Sequence, residues 1–482
     1  MAALVAGVDC STQSTKVLIV DPDDGRVIAT GRAEHTVSGE GGARETDPRQ
    51  WWTALSAALA QTRRADEVGA IAVGGQQHGL VVLDSSGEPL RPSMLWNDTR
   101  SSAEAELLLD ALGEDFWADR IGLRPVASFT VTKWAWVRAH EPDVASQTRA
   151  IRLPHDYLTE RLTGRGVTDR GDASGTGWWS GFRGGYEQDV LGLPAVDLDE
   201  AILPAVLGPT EPAGETGGEA ARDLGLPAET AVGPGTGDNA AAALGLGLEP
   251  RTPVVSLGTS GTAYAVSERP AADRTGTVAG FADATGRFLP LAATLNCTLA
   301  VDRAAALLGL DRDDVAPSDG VVFLPYFDGE RTPNVPRASG MLTGVRHHTT
   351  RQQILMAAYE GAAVSLLDAI DAIAGQSDGI DPDAPLIVIG GGARGATWRE
   401  VFARLSGRTL LVPAADELVA LGGAVQATAV MRGEDPVAVA HRWRTQEGTT
   451  VEAVERDDAT VSRIRAVRDA LVAEATLSGR AP

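Results

Sequence analysis

The sequence predicts a two-domain α/β protein in which a duplicated domain closes on one nucleotide. Three observations carry this expectation. A length of 482 residues is more than a single core accommodates. Two turns rich in Ser, Thr and Gly, DCSTQSTK from Asp9 to Lys16 and SLGTSGT from Ser256 to Thr262, each follow a short apolar run. They lie about 245 residues apart, one near the start of each half. Such turns offer backbone N–H groups and hydroxyls without bulky side chains, which suits a phosphate chain. A pair of them suggests phosphates gripped from both sides.

Taken in order, the chain opens as a meander. Strands are expected over 4–9, 16–21 and 26–37, with Asp21-Pro22-Asp23-Asp24-Gly25 as a turn. Asp47 and Pro48 have the character of an N-cap and first helical residue. They precede a helix with Trp51, Leu55, Ala58 and Leu59 at helical spacing. A strand over 69–74 leads into GGQQHG, another follows over 80–84, and Ser85-Ser86-Gly87 turns the chain. Helices are expected near 99–112 and 130–140, followed by a Gly- and Pro-rich stretch over 163–237 with short helices inside it. The second half repeats this pattern, with strands at 254–257 and 262–267 and a returning strand near 278–282. A helix at 350–375, a strand at 386–389, and helices at 396–406 and 417–432 follow. This divides the chain into 1–246, 247–440 and a helical extension, 441–482, packed on the second domain.

The composition, 43% hydrophobic and 22% charged, is that of a globular protein. A formal net charge of −23 argues against nucleic acid or an anionic membrane as partner. Cys10 and Cys297 cannot make a disulfide framework. The start lacks the basic region of a signal peptide, and no apolar run approaches the roughly 20 residues needed to span a bilayer. The expectation is a cytoplasmic protein, with a homodimer compatible with the sequence. Only Lys16 and Lys133 are lysine among 42 basic residues. Chance accounts for that, or the compact ammonium matters at those two places.

GTGDNAAAALG, Gly235 to Gly245, leaves little bulk around Asp238. Alone, Asp238 reads as a helix cap. Beside phosphate turns it reads as a carboxylate able to accept a proton from an attacking hydroxyl, with a pKa kept low by the helix N-terminus. Phosphoryl transfer tolerates a weak base, because it depends on positioning. GGGARG, Gly390 to Gly395, also fits the dinucleotide fingerprint G-x-G-x-x-G between a strand and a helix. That match explains neither Asp9, His78 nor Asp238. No G-x-x-x-x-G-K-[ST] run is present.

DCSTQSTK, GGQQHG, LWNDTR, FTVTKWAWV, GTGDNAAAALG, SLGTSGT, FLPYFDGERTP and GGGARGATWREVFARLSG, in this order, resemble the FGGY carbohydrate kinases over about residues 4–432. The two family signatures fall at Phe129–His140 and Gly340–Glu360. The likeness is greatest to members that phosphorylate D-xylulose. It implies two ribonuclease H-like (actin-type ATPase) domains with an interdomain cleft, and ATP and Mg²⁺ as cofactors. By motif, Asp238 is implied as general base, next to Asn239 as a sugar contact. Asp9, through water, and Asp238 would hold the metal. Thr12, Gln13, Ser14 and Lys16 would approach the phosphates, with Ser11 standing where the family has Gly. Thr259 would sit by the β- and γ-phosphates, and Gly391 and Gly392 along the adenosine. Gln77 and His78 would bind the sugar, since an amide and an imidazole each donate and accept. Trp96, Asn97 and Asp98 would form a further wall; otherwise Trp96 is core, Asn97-Asp98 a turn and His78 a satisfied imidazole. Arg331 reads as structural or as a residue near the cleft. Domain closure is expected, hinged at 245–247 and near Gly391. Other readings are a kinase for a different pentulose or polyol, an actin-like scaffold ATPase, or an NAD-linked dehydrogenase built on GGGARG.

Overall fold

The computed structural model describes residues 3–477. Its first lobe forms around β1 (Leu4–Cys10), a strand buried along its whole length. Alternate residues face two cores: Val5 joins one cluster, Leu4, Ala6 and Val8 another, as the two-residue period of a strand requires. β2 (Ser14–Val20) returns antiparallel to β1, and β3 (Val27–Glu34) pairs antiparallel to β2 at the exposed edge. α1 (Pro48–Thr62) starts as expected, with the Asp47 side chain accepting from Arg49 N at 3.0 Å and Pro48 in the first turn. β4 (Val68–Gly75) then runs parallel to β1 on its other side, and Ala231–Val232 and Gly214–Glu215 complete that flank. α2 (Asp238–Gly245) follows Thr236–Gly237, which pairs with the end of β4.

The second lobe repeats this order. β5 (Val254–Leu257) and β6 (Gly261–Tyr264) form the hairpin. The strand that returns against β6 is not 278–282. β7 (Ala279–Ala282) lies at the outer edge and pairs only with β8 (Phe288–Thr294), which itself pairs with β6. The reason is a tight turn after β7. Asp283 accepts from Thr285 N at 3.0 Å, and Gly286 takes a left-handed φ of 99°. α3 (Arg351–Gln376) is long and apolar enough to cross a membrane, but most of its apolar stretch is buried inside the lobe. β9 (Leu386–Ile389) runs parallel to β5, and β10 (Leu410–Pro413) parallel to β9.

Each lobe is thus a mixed sheet built on an antiparallel hairpin, the ribonuclease H-like pattern the sequence implied. This excludes the all-parallel sheet of a dinucleotide-binding dehydrogenase. The tail departs from a purely helical extension. β11 (Gly448–Val451), whose Thr449, Thr450 and Val451 are β-branched, adds an edge strand antiparallel to β10. α5 (Asp458–Leu477) lies along α3, where Arg465 bonds Asp368 at 2.7 Å and Asp371 at 2.6 Å.

The lobes are joined where α4 (Leu418–Arg432) crosses α2 and lies over β1 and β4. The approach is backbone to backbone. A Cβ on Gly422 would overlap the Ala241 carbonyl oxygen, one on Gly245 the Leu418 carbonyl, and one on Gly7 the Ala420 carbonyl. Gly245, expected as a hinge residue, therefore sits inside this crossing. Gly422→Ala is expected to cost about 1–3 kcal/mol through overpacking, read as a lower urea midpoint with an unchanged m-value.

Candidate active site

The chemistry-bearing residues collect at the carboxyl ends of the central parallel strands. In the first lobe these ends are Asp9-Cys10 on β1 and Gly74-Gly75 on β4, followed by Gln76, Gln77 and His78. In the second lobe they are Leu257 on β5 and Ile389 on β9, followed by the SLGTSGT turn and by Gly391 and Gly392. Ligands bind α/β sheets at such ends.

Asp238 is the first residue of α2, presented by the extended Gly237. Its Oδ1 accepts from Asn239 N at 2.7 Å and from Asn239 Nδ2 at 2.8 Å. The expected low pKa is not what the structure gives. Burial, then the nearby charges of Asp9 and Asp172, push Asp238 up to about 7. A helix N-terminus is worth about 0.3–1 kcal/mol, whereas each pKa unit is about 1.4 kcal/mol. Burial and like charge therefore win. Asp9 is raised to about 6 by burial, opposed by Lys16 and assisted by Glu417. Its Oδ2 lies 3.5 Å from Lys16 Nζ, and its Oδ1 is buried without a partner.

Lys16 points away from the expected phosphate role. Its ammonium donates to Glu417 Oε2 at 2.6 Å, at the start of α4, while also facing Asp9. In the first turn, the Ser11 hydroxyl folds back to Ser14 O at 2.9 Å, and Gln13 is exposed with its carbonyl accepting from His35 N at 3.0 Å. Thr12 accepts from Trp96 Nε1 at 3.0 Å. Trp96 is 40% exposed, so it is not a core residue.

His78 stands at a left-handed φ of 66°, an uncommon conformation for any residue other than glycine. Its carbonyl accepts from Lys133 Nζ at 3.0 Å and from Thr130 Oγ1 at 3.3 Å. Its Nδ1 lies 3.0 Å from Gly175 O, which requires a proton there. Burial, Lys133 and Arg331 push His78 down to about 3, so the ring is neutral and Nε2 is left as an acceptor. Phe129 meets the ring edge-on at 5.1 Å, and Phe281 of the second lobe lies 5.5 Å away. Burial pushes Lys133 itself down to about 7.

Two expected sugar ligands are occupied by protein instead. Gln77 Oε1 accepts from Asn239 Nδ2 at 2.9 Å, and its amide faces Asp172. Asp98, 1% exposed, accepts from Arg44 N at 2.9 Å and from the Arg100 guanidinium at 2.7 Å. It takes the turn role, because a buried carboxylate must be paired. Asn97, half-buried, keeps Oδ1 without a partner. Across the cleft Thr259 and Gly391 are exposed, and a Cβ on Gly392 would press on Leu257 and Thr298. Thr298 donates its hydroxyl to Gly258 O at 2.7 Å. Sequence reasoning missed Asp172, Glu417 and Gln426; the last donates to and accepts from the backbone of Gly235.

Models of the N- and C-terminal domains of the FGGY family of carbohydrate kinases match residues 4–245 and 254–431. The chain belongs to the FGGY family of carbohydrate kinases. This kinase is 59% identical over 466 residues to the xylulose kinase of Streptomyces rubiginosus, covering 96% of this chain and 95% of that protein. It is likewise 59% identical to the xylulose kinase of Streptomyces coelicolor over 96% of its own length and 95% of the relative's. Among solved structures, the xylulose kinase from Bifidobacterium adolescentis superposes with a TM-score of 0.85 at 36% identity, covering 97% of this chain and 99% of that one.

The raised carboxyl pKa values have a consequence for stability. A group whose folded pKa exceeds its unfolded value is favoured in the protonated form, so its ionisation destabilises the fold as pH rises from about 4 through its folded pKa. For the unliganded enzyme, Asp9→Asn and Asp238→Asn are each expected to raise the urea midpoint at pH 8. The gain should vanish below about pH 3, where aspartate is protonated in both the folded and the unfolded state and is as uncharged as asparagine.

Proposed function

We propose that this chain transfers the γ-phosphoryl group of ATP to the terminal hydroxyl of D-xylulose, giving D-xylulose 5-phosphate and ADP. The observation that carries the proposal is Asp238: a half-buried carboxylate raised to about 7, following Thr236–Gly237, which pairs with the end of β4 just before Gln76, Gln77 and His78. A base is most useful when its pKa lies near the working pH. The 59% identical relatives are xylulose kinases by name, which favours the same substrate.

In this reading Asp238 accepts the proton of the terminal hydroxyl as the oxygen attacks. Asn239, bonded to both Asp238 and Gln77, holds the carboxylate in orientation. His78 Nε2 accepts from a sugar hydroxyl, and Asn97 Oδ1 supplies a second acceptor. Trp96 covers the apolar face of the sugar and fixes Thr12 at the phosphate turn. Thr12, Gln13, Ser14 and Thr259 approach the phosphates, while Gly391 leaves room for the adenosine because no protein atom lies within 4 Å of where its Cβ would be. Lys16 acts on the phosphate side by orienting Asp9.

The donor set fits Mg²⁺. Asp9 has one buried oxygen without a partner and Asp238 lies near it. Mg²⁺ is held through one or two carboxylates, with water and substrate phosphates completing its shell. When bound, the ion would neutralise charge on the phosphates. Dependence on ATP fits the cytoplasmic location expected from the sequence.

ADP release measured across D-xylulose, D-ribulose, glycerol and the hexuloses tests the proposal. D-Xylulose should give the highest kcat/KM; ATP hydrolysis indifferent to every sugar would favour a scaffold ATPase instead. Asp238→Asn should lower turnover by about 10²–10⁴ while leaving the sugar Kd nearly unchanged. Near-normal turnover in that variant would remove Asp238 as the base.

A further inference from the structure

Behind the sugar-side wall lies a cluster of four ionisable residues that the chemistry above does not use. His155, in the helix Pro154–Thr163, has a side chain with no exposed surface. Its Nε2 is 3.2 Å from Asp156 Oδ1, 3.2 Å from Asp172 Oδ2 and 3.6 Å from Asp169 Oδ1. All three carboxylates are buried. Backbone closes in from two sides. A Cβ on Gly235 would sit 2.6 Å from His155 Nδ1, and one on Gly75 would sit 3.2 Å from the histidine Cβ. The imidazole fills the space between the end of β4 and the loop that delivers Asp238.

Hydrogen bonds run from this cluster to both sides of the sugar wall. Asp169 Oδ2 accepts from Thr236 Oγ1 at 2.7 Å, two residues before Asp238. Asp169 also caps the short helix Arg170–Ser174, accepting from Gly171 N at 2.8 Å and Asp172 N at 3.0 Å. That helix ends at Gly175, whose N–H donates to Asp172 O and whose carbonyl receives the Nδ1 proton of His78, each at 3.0 Å. Asp172 faces the Gln77 amide, which continues through Asn239 to Asp238.

Three carboxylates without access to water repel one another, and a buried charge is tolerated only when paired. His155 is the cation within 3.6 Å of all three; Arg152 is a further positive charge acting on Asp156. Burial works against a charge on His155, but Asp156, Asp172 and Asp169 outweigh it and raise the imidazole to about 9.

We propose that His155 is a positioning residue, an imidazolium that clamps the 169–175 and 235–237 segments together and so fixes His78 and Asp238 relative to each other across the sugar. The inference rests on the reading of those two residues as flanking the sugar. Three measurements on the full chain test it. Nitrogen-15 NMR of the wild type should show His155 protonated on both ring nitrogens at neutral pH. His155→Gln should raise KM for D-xylulose and lower kcat, each about tenfold, with KM for ATP within about twofold, because small misplacements at a reacting centre cost rate steeply. His155→Lys, which restores a cation, should recover most of that loss.

Thr236→Val removes only the hydroxyl bond to Asp169 and should lower kcat about threefold to tenfold without a matching change in KM for ATP. A neutral imidazole at neutral pH overturns the proposal. So does a folded His155→Gln with unchanged constants, or a rise in both KM values in parallel. If His155→Gln does not fold, the NMR result and Thr236→Val decide. Failure of the wild type to phosphorylate any ketose would overturn the reaction assignment, whereas the protonation state of His155 would still be read directly.

Discussion

The backbone contact between α2 and α4 is the constraint on which the site depends. Two helices can approach this closely only where side chains are absent, and Gly422 and Gly245 supply the gaps, while Gly7 on β1 gives α4 the same room on the sheet beneath. From that crossing, α4 reaches both carboxylates of the cleft. At its start Glu417 holds Lys16, which faces Asp9. Two turns further along, Gln426 accepts from Gly235 N at 2.9 Å and donates to Gly235 O at 3.0 Å, bracing the loop that leads to Asp238. Gln426 is 191 residues from Gly235 in sequence. The first lobe's chemistry is therefore completed by a helix from the second half. The two halves share one apolar core for the same reason: Val5, Leu244, Val254 and Leu421 belong to a single cluster.

Electrostatics in the cleft follow from this packing. Four ionisable groups beside the proposed sugar site are displaced toward neutrality: Asp9 to about 6, Asp238 to about 7, His78 to about 3, Lys133 to about 7. In each case burial is the leading cause, as expected where closing walls exclude water from charged forms. His155 is the exception, and its three carboxylate neighbours explain why. Neutral groups suit a hydroxylated substrate, since they exchange hydrogen bonds without stripping a hydration shell from a full charge.

The architecture was largely legible in the sequence because its signals are local. The β1–β2 hairpin, the Asp47-Pro48 helix start and the helix at Ala396–Ser406 all show in apolar period and capping. β8 was hidden by Pro290 in its middle, a residue that normally argues against a strand. β11 was hidden by the polar tail around it. At the site, residue types and motif order singled out Asp9, His78 and Asp238 as candidates, but not which polar atoms already have protein partners. Gln77, Asp98 and Lys16 carry suitable chemistry, yet their partners, Asn239, Arg100 and Glu417, lie 162, 2 and 401 residues away. Two of those three separations are invisible to any local reading. Of the two lysines, Lys133 donates to the His78 carbonyl at 3.0 Å, a partner 55 residues away that no local pattern shows.

The repeated topology also explains why the two halves carry unequal chemistry. Both hairpins end beside a parallel neighbour, β4 for β1 and β9 for β5. In the first lobe that position holds Asp9, whereas in the second it holds Ser256, next to a turn of Gly, Thr and Ser. Two unit charges 4 Å apart interact by about 4 kcal/mol at a protein surface, so an acid in both hairpins would set a second negative charge against a triphosphate. In the proposed reaction, one acid with backbone and hydroxyl groups opposite would suit phosphate on one side and a divalent cation on the other. The duplicated fold supplies two similar walls, and the difference between them gives the cleft its direction, from the proposed nucleotide side at Thr259 and Gly391 toward the proposed base at Asp238.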